Sequence, residues 1–540
     1  MKAIPAERVR MGGEVYARAL KNFSRLHDLP YRPGHAGRAP FDSADWPGDW
    51  EGRTLLALAL HAGTLHARPA FLDALAEDVR SRCNAHGYRG EVIDPEAINE
   101  QVYPSHSWLL RGLIEFYRLT GREDILDWIN ALLDNLFLPM LPHLEHYPVT
   151  RAQRGEREGG GASGSLRSRY REWLLSSDVG CVLIPVDGLS AAYELTGRKE
   201  LLPLIDRCVA LFRAGDAPDM KLQTHASLTF ARGALRMARL TGDRSLVETA
   251  QKLFAGYKRF GMTAAWANFN WFRTPSWTEP CAVIDSFMVA HQLWELTNDP
   301  AYLDDAQMIF YNGFFRGQRP NGGFGCDSTG EDGFLRAVPG SYEAFWCCTM
   351  RGGEGLGAPS RTAAYPDGGA VVLPWHLTME LDLGCAVLRE ETDYPAEGRT
   401  RWRVVSGDGS MRTLKLFVPA RAERPRLFAD GRELPAEMEN GFVSARLSLR
   451  PGAEVELRFD LPLRFEGVLS EVYGDRPGSV IVHGTQILAA ENAPEEIDLS
   501  KMERTPDGWR CGEALFKPIA DGYLEEKEAL LKENLRLRFR

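Results

Sequence analysis

The sequence contains no apolar run long enough to span a bilayer, so no membrane-spanning helix is expected. Basic residues do not predominate: 64 Lys and Arg stand against 74 Asp and Glu, for a formal charge of -10, and no basic block interrupts the chain. This argues against a general nucleic-acid binder, which needs a cationic face for phosphate. Cysteine is scarce and odd in number, nine in 540 residues, which argues against a disulfide framework. The opening MKAIPAERVRMGGEVYARAL lacks the apolar centre of a secretion signal, and a cytoplasmic location is the expectation.

What is present fits a globular protein of two or three domains, with 44% hydrophobic and 26% charged residues. A phrase recurs: GLIEFYRLTGREDIL to Leu126, GLSAAYELTGRKELL to Leu202, GALRMARLTGDRSLV to Val247 and AHQLWELTNDPAYLD to Asp304. Each is an amphipathic helix, then Leu-Thr-Gly or Leu-Thr-Asn, then a polar step into a new apolar-periodic run. Gly or Asn suits the left-handed residue that ends a helix, so each phrase reads as the turn of a helical hairpin. The stretch LALALHAGTLHARPAFLDAL is a looser copy. The irregular spacing of these turns argues against a solenoid and for a closed α/α barrel. The connection Arg154–Trp173 is rich in Gly, Ser and charge and reads as a mobile surface loop or a lid.

After about residue 365 the pattern alternates with period two, with Asp430-Gly431 and Asn440-Gly441 as hairpin turns. The expected division is a helical barrel over 1–364 and a β-sandwich over 365–467. A β-rich segment over 468–540 completes the sandwich region and ends in a helix around Glu525 to Leu535.

Cys347 and Cys348 are adjacent, a poor geometry for a mutual disulfide. With Glu279 and Cys281 they make four donors of the kind zinc accepts in a tetrahedral set. The spacing alone leaves two readings open: a metal site, or reduced cysteines beside a surface glutamate. Cys83, Cys181 and Cys208 lie in apolar surroundings and read as core residues.

The chain resembles the zinc–cysteine glycoside hydrolases of the β-L-arabinofuranosidase family, glycoside hydrolase family 127. Glu279-Pro280-Cys281 resembles the family's Glu-Thr-Cys segment, followed by a Tyr-Asn-Gly turn at Tyr311-Asn312-Gly313. Phe345-Trp346-Cys347-Cys348 resembles its aromatic-Cys-Cys loop, and Thr392-Asp393-Tyr394-Pro395 a phrase of its β-sandwich. GSVIVHGTQILAAEN resembles a later strand. The resemblance implies an (α/α)6 barrel followed by β-sandwich domains. It also implies zinc held by Glu279, Cys281, Cys347 and Cys348, with Cys347 as the nucleophile of a retaining glycoside hydrolase. A carbohydrate is the implied partner, with a homodimer through the β-sandwich as a further expectation.

The sequence also departs from this family. The segment that carries the family's acid/base glutamate, Gly261–Thr278, contains no Asp or Glu. Gln307 stands where the family has a glutamate before the Tyr-Asn-Gly turn. Of the family's pocket histidines only His225 has a counterpart in place, and His106 is out of register. Trp266, Asn270 and Trp277 are candidate sugar contacts with His225, and Glu343 is a weak candidate for the acid/base beside Asp178, Asp187 and Asp285. The expected substrate is a glycoside or short oligosaccharide other than the usual β-L-arabinofuranoside. The alternatives are a sugar-binding barrel with structural zinc, or a sugar lyase or isomerase.

Overall fold

Glycine or asparagine ends each expected hairpin helix in the left-handed conformation: Gly121 (φ 65°), Gly197 (φ 68°), Gly242 (φ 78°) and Asn298 (φ 59°). The structure is a computed structural model that describes residues 1–40, 45–155, 164–475 and 477–540, without the side chain of Arg167. Its helices begin with α1 (Gly13–Arg25), α2 (Asp49–Leu65), α3 (Leu72–Arg80), α4 (Val102–Thr120), α5 (Glu123–Leu132) and the short α6 (Arg151–Arg154). There follow α7 (Pro185–Thr196), α8 (Leu201–Ala214), α9 (Thr224–Thr241), α10 (Arg244–Phe260), α11 (Pro280–Thr297), α12 (Ala301–Met308), α13 (Phe315–Gly317) and α14 (Cys348–Arg361).

Six of these close a ring: α2 packs on α4, α4 on α7, α7 on α9, α9 on α11, α11 on α14, and α14 on α2. Ring helices are covered on every side, and α2 and α9 bury almost their whole length. The outer helices α3, α5, α8 and α10 bury one stripe only. In α10 it is Leu246, Ala250, Leu253, Phe254 and Tyr257, at helical spacing. This is the α/α barrel expected from the repeated turns.

The β-rich part follows. A seven-stranded sheet and a five-stranded sheet, both antiparallel except for one parallel pair in the second, share a core that includes Leu388, Trp402, Val455, Leu414 and Val443. Asp430-Gly431 and Asn440-Gly441 form the expected hairpin turns, with φ of 46°, 77°, 50° and 81° in chain order. One edge of the seven-stranded sheet comes from the opposite end of the chain: Val9–Met11 pairs with Met379–Asp382, burying Val9 and Met11 and exposing Arg10.

A third sheet spans Leu463 to Arg536 and recruits Asp327–Thr329 and Phe334–Ala337, which precede α14. The final helix is shorter than expected, a single turn at Lys527–Leu530, because the chain then extends to pair Leu535 and Arg536 in this sheet and bury Leu537. Residues 156–163 of the expected loop lie outside the described residues. On its flanks, Leu166–Tyr170 pairs with Trp173–Ser176, and buried Arg154 donates to Tyr147 and Glu100.

Candidate active site

The N-terminal ends of α2, α7, α9, α11 and α14 open on one cavity of about 510 Å³. Its walls include Asp49 and Arg53 from α2, Gln223 and His225 at α9, Glu279 at α11, and Cys347 and Cys348 at α14. Free N–H groups at a helix N-terminus favour negative charge, so the ring directs several such ends at the carboxylate and thiols gathered here.

Cys347 caps α14 and Cys348 is its first residue, which aims both thiols at Cys281 in the first turn of α11. The Sγ atoms of Cys281 and Cys348 are 3.5 Å apart, and those of Cys347 and Cys348 are 3.3 Å apart. No disulfide joins them; all nine cysteines are free. Cys281 and Cys348 are buried, whereas Cys347 is partly exposed to the cavity. The three thiols offer sulfurs within 4.8 Å of one another, a set that can hold a metal ion. Sulfurs bound tetrahedrally to zinc at ~2.3 Å stand ~3.8 Å apart, so the observed gaps need only a few tenths of an ångström of adjustment.

Glu279 belongs to a second potential metal-holding group, His225, Glu279 and Cys281, that shares Cys281 with the first. Its Oε1 lies 3.0 Å from His225 Nδ1, and its Oε2 accepts from Gln223 Nε2 at 3.3 Å. The Glu279 amide donates to Asn268 Oδ1 at 2.8 Å, which fixes the start of α11. Arg53 Nη1 donates toward Cys281 Sγ at 3.6 Å, and Arg53 Cζ lies 4.1 Å from the ring centre of Trp108.

The thiols share charge unequally. Burial pushes the Cys281 thiol up, but hydrogen bonds from Cys347 and Cys348, with Arg53 and His225 nearby, bring it well below the usual thiol range. Cys347 is raised chiefly by its bond to Cys281, and Cys348 by burial and then by Cys281. Cys281 is therefore the thiol of the three most easily deprotonated. Burial opposes the charge on His225, but Glu279 outweighs it and raises the imidazole's pKa.

His225 and Trp277 line the cavity with the thiols, whereas Trp266 and Asn270 do not. Trp266 is buried with the Arg421 guanidinium 5.5 Å from its ring centre, and Asn270 is enclosed while its carbonyl accepts from the Thr224 amide. Glu343, the candidate acid/base, faces elsewhere: it pairs with Arg25 at 2.8 Å and accepts from Thr349 and Asn321. Asp187 is held by Arg111 and Arg236, and Asp285 by Arg232, Arg351 and Thr229, all inside the ring. Of the carboxylates weighed from sequence, Asp178 lies in the cavity wall. His106 is core: it accepts from the Arg89 amide at 3.0 Å and donates to Val102 O at 2.7 Å.

Sequence reasoning missed Asp49, Arg53, Trp46 and Trp346, all of which line the cavity. Asp49 and Arg53 carried a usable signal, opposite charges four apart inside an apolar helix pattern.

A ring of six inner helices, backed by outer helices and followed by β-sheets, with a cavity at the inner N-termini, is a six-hairpin α/α barrel with a C-terminal β-rich part. The family description "Beta-L-arabinofuranosidase, GH127 catalytic domain" matches residues 76–358, more than half of the chain, and the GH127 middle domain matches residues 373–461. The chain belongs to glycoside hydrolase family 127. Among solved structures it is similar to a GH127 β-arabinofuranosidase at TM-score 0.69 and 14% identity, covering 100% of this chain and 98% of that one. A GH127 β-L-arabinofuranosidase from Geobacillus stearothermophilus T6 aligns at TM-score 0.65 and 15% identity, over 92% of this chain and 89% of that one. A glycoside hydrolase aligns at TM-score 0.71 and 13% identity, over 100% and 97%. No curated protein matches the chain.

Proposed function

We propose that the protein is a zinc-dependent retaining glycoside hydrolase in which Cys347 is the nucleophile and Glu279, Cys281, Cys347 and Cys348 hold the metal. The observation that carries this reading is the thiol cluster at the cavity, whose wall includes Cys347 and Cys348 and where Cys347 is the one thiol of the three that is not fully buried. Zinc bound there keeps its ligand sulfurs deprotonated at neutral pH. Cys347 Sγ then attacks the anomeric carbon, and water later opens the thioglycoside with net retention. His225 holds Glu279 in place, and Arg53 balances the negative charge of the cluster.

The substrate proposed is a glycoside or short oligosaccharide other than the β-L-arabinofuranosides for which the relatives are named. Trp46, Trp277 and Trp346 give this cavity aromatic walls, and sugar C–H faces pack well on such rings. The test is turnover of 4-nitrophenyl glycosides, pentosides and hexosides in both ring sizes, by zinc-loaded enzyme. Release of 4-nitrophenol that disappears in Cys347→Ala supports the reading; undiminished release in that variant removes the nucleophile.

A further inference from the structure

Retention through Cys347 needs a second group, one that protonates the departing oxygen and then deprotonates water. Gly261–Thr278 supplies no carboxylate. The cavity does: among the described residues, its acidic lining residues are Asp45, Asp49, Asp178 and Glu279. Glu279 has both oxygens engaged, by His225 and Gln223, and Asp45 is exposed.

We propose, on the glycosidase reading above, that Asp49 is the general acid/base of this enzyme. Asp49 is the first residue of α2 and 5% exposed. Arg53 Nε holds its Oδ2 at 2.7 Å, while Oδ1 is buried with no hydrogen-bond partner among the described residues. A buried carboxylate oxygen left unpaired costs free energy unless something else uses it. Asp49 lines the cavity that Cys347 also lines, so a bound glycoside can supply the partner. Because α2 packs against α14, acid and nucleophile stand at the N-termini of neighbouring ring helices. Arg53 fixes the carboxyl plane and reaches Cys281 Sγ at 3.6 Å, so one side chain separates the acid from the thiol cluster.

The chemistry balances. The Asp49 carboxyl gives its proton to the glycosidic oxygen as the bond from that oxygen to the anomeric carbon breaks and the bond to Cys347 Sγ forms. The alcohol departs. The Asp49 carboxylate then takes a proton from water as the water oxygen attacks the anomeric carbon and Cys347 leaves as thiolate. Burial raises the Asp49 pKa against the opposing pull of Arg53, with Cys281 adding to the rise and His225 opposing it.

The experiment compares wild type, Asp49→Asn and Asp49→Glu on the 4-nitrophenyl and methyl glycosides of the sugar that the panel selects, with and without azide. Metal content is measured on every variant to confirm an intact site. In Asp49→Asn, hydrolysis of the methyl glycoside is expected to fall by ~10²–10⁴-fold. The 4-nitrophenyl glycoside, which leaves without protonation, should suffer far less, and azide should speed its turnover by forming the glycosyl azide with retained configuration. Asp49→Glu should restore part of the methyl-glycoside rate. Equal losses on both aglycones with no response to azide overturn the assignment to Asp49, as does azide rescue appearing in Asp178→Asn instead. Failure of zinc-loaded wild type to hydrolyse any glycoside of the panel overturns the glycosidase reading itself, and the acid role with it.

Discussion

His106 shows how burial sets what a single side chain can do. Desolvation lowers its pKa to about 4, and its two ring nitrogens are already engaged, one accepting from the Arg89 amide and one donating to Val102 O. Protonation would remove the acceptor that Arg89 uses. In the unfolded chain the ring titrates near its ordinary 6.5, so the unfolded state binds a proton first as pH falls. Its contribution to stability is therefore complete above pH 6.5 and is lost on going down toward pH 4. At pH 5 the loss amounts to ~2 kcal/mol from this residue. Urea unfolding at pH 7 and pH 5 should show His106→Gln losing less stability than wild type over that interval; equal losses contradict the assignment. His225 behaves in the opposite sense because it faces Glu279. Sequence offered both histidines as pocket candidates. It could not separate them, because the difference lies in which way each helix turns its side chain.

Between elements, the site depends on how closely α14 approaches its neighbours. The helix reads Cys-Thr-Met-Arg-Gly-Gly-Glu-Gly-Leu-Gly, a poor helix former by propensity. Packing explains it. A Cβ on Gly352 would stand 2.2 Å from the Phe324 ring, and one on Gly355 2.7 Å from Phe314. Gly352→Ala should destabilise the protein by ~1–3 kcal/mol through overpacking, read as a lower urea midpoint with unchanged slope; a neutral effect would mean that α14 has room to move. The hairpin turns were legible because Leu-Thr-Gly states its left-handed residue outright. The packing of α14 was not, since glycines mark close approach without naming what approaches. The short C-terminal helix was misjudged in length for a related reason: its charged pattern outweighed Leu535 and Leu537, which the third sheet draws into strand and core.

At the scale of the whole molecule, the phrases that pointed to the family are joints between its parts as well as pieces of its site. Tyr394 donates to Gln307 Oε1 at 2.9 Å and lies 2.8 Å from Thr485 Oγ1, tying the barrel, the middle sheets and the third sheet together. Asn312 of the Tyr-Asn-Gly turn donates to Thr485 O and accepts from the Ile487 amide, and Tyr311 donates to His376 O. Gln307, which stands where a glutamate was expected, thus serves the domain junction and is not among the residues that line the cavity. The third sheet supports the thiols from outside: Asp327, in a strand of that sheet, exchanges hydrogen bonds with Thr278 beside Glu279. Metal analysis by plasma mass spectrometry, on wild type purified without chelator and on Cys281→Ser, tests the central claim most directly. The account predicts about one zinc per wild-type chain and marked loss from the variant, as a structural thiolate ligand requires. Wild-type protein that carries no zinc and takes up none on dialysis against it would contradict the account.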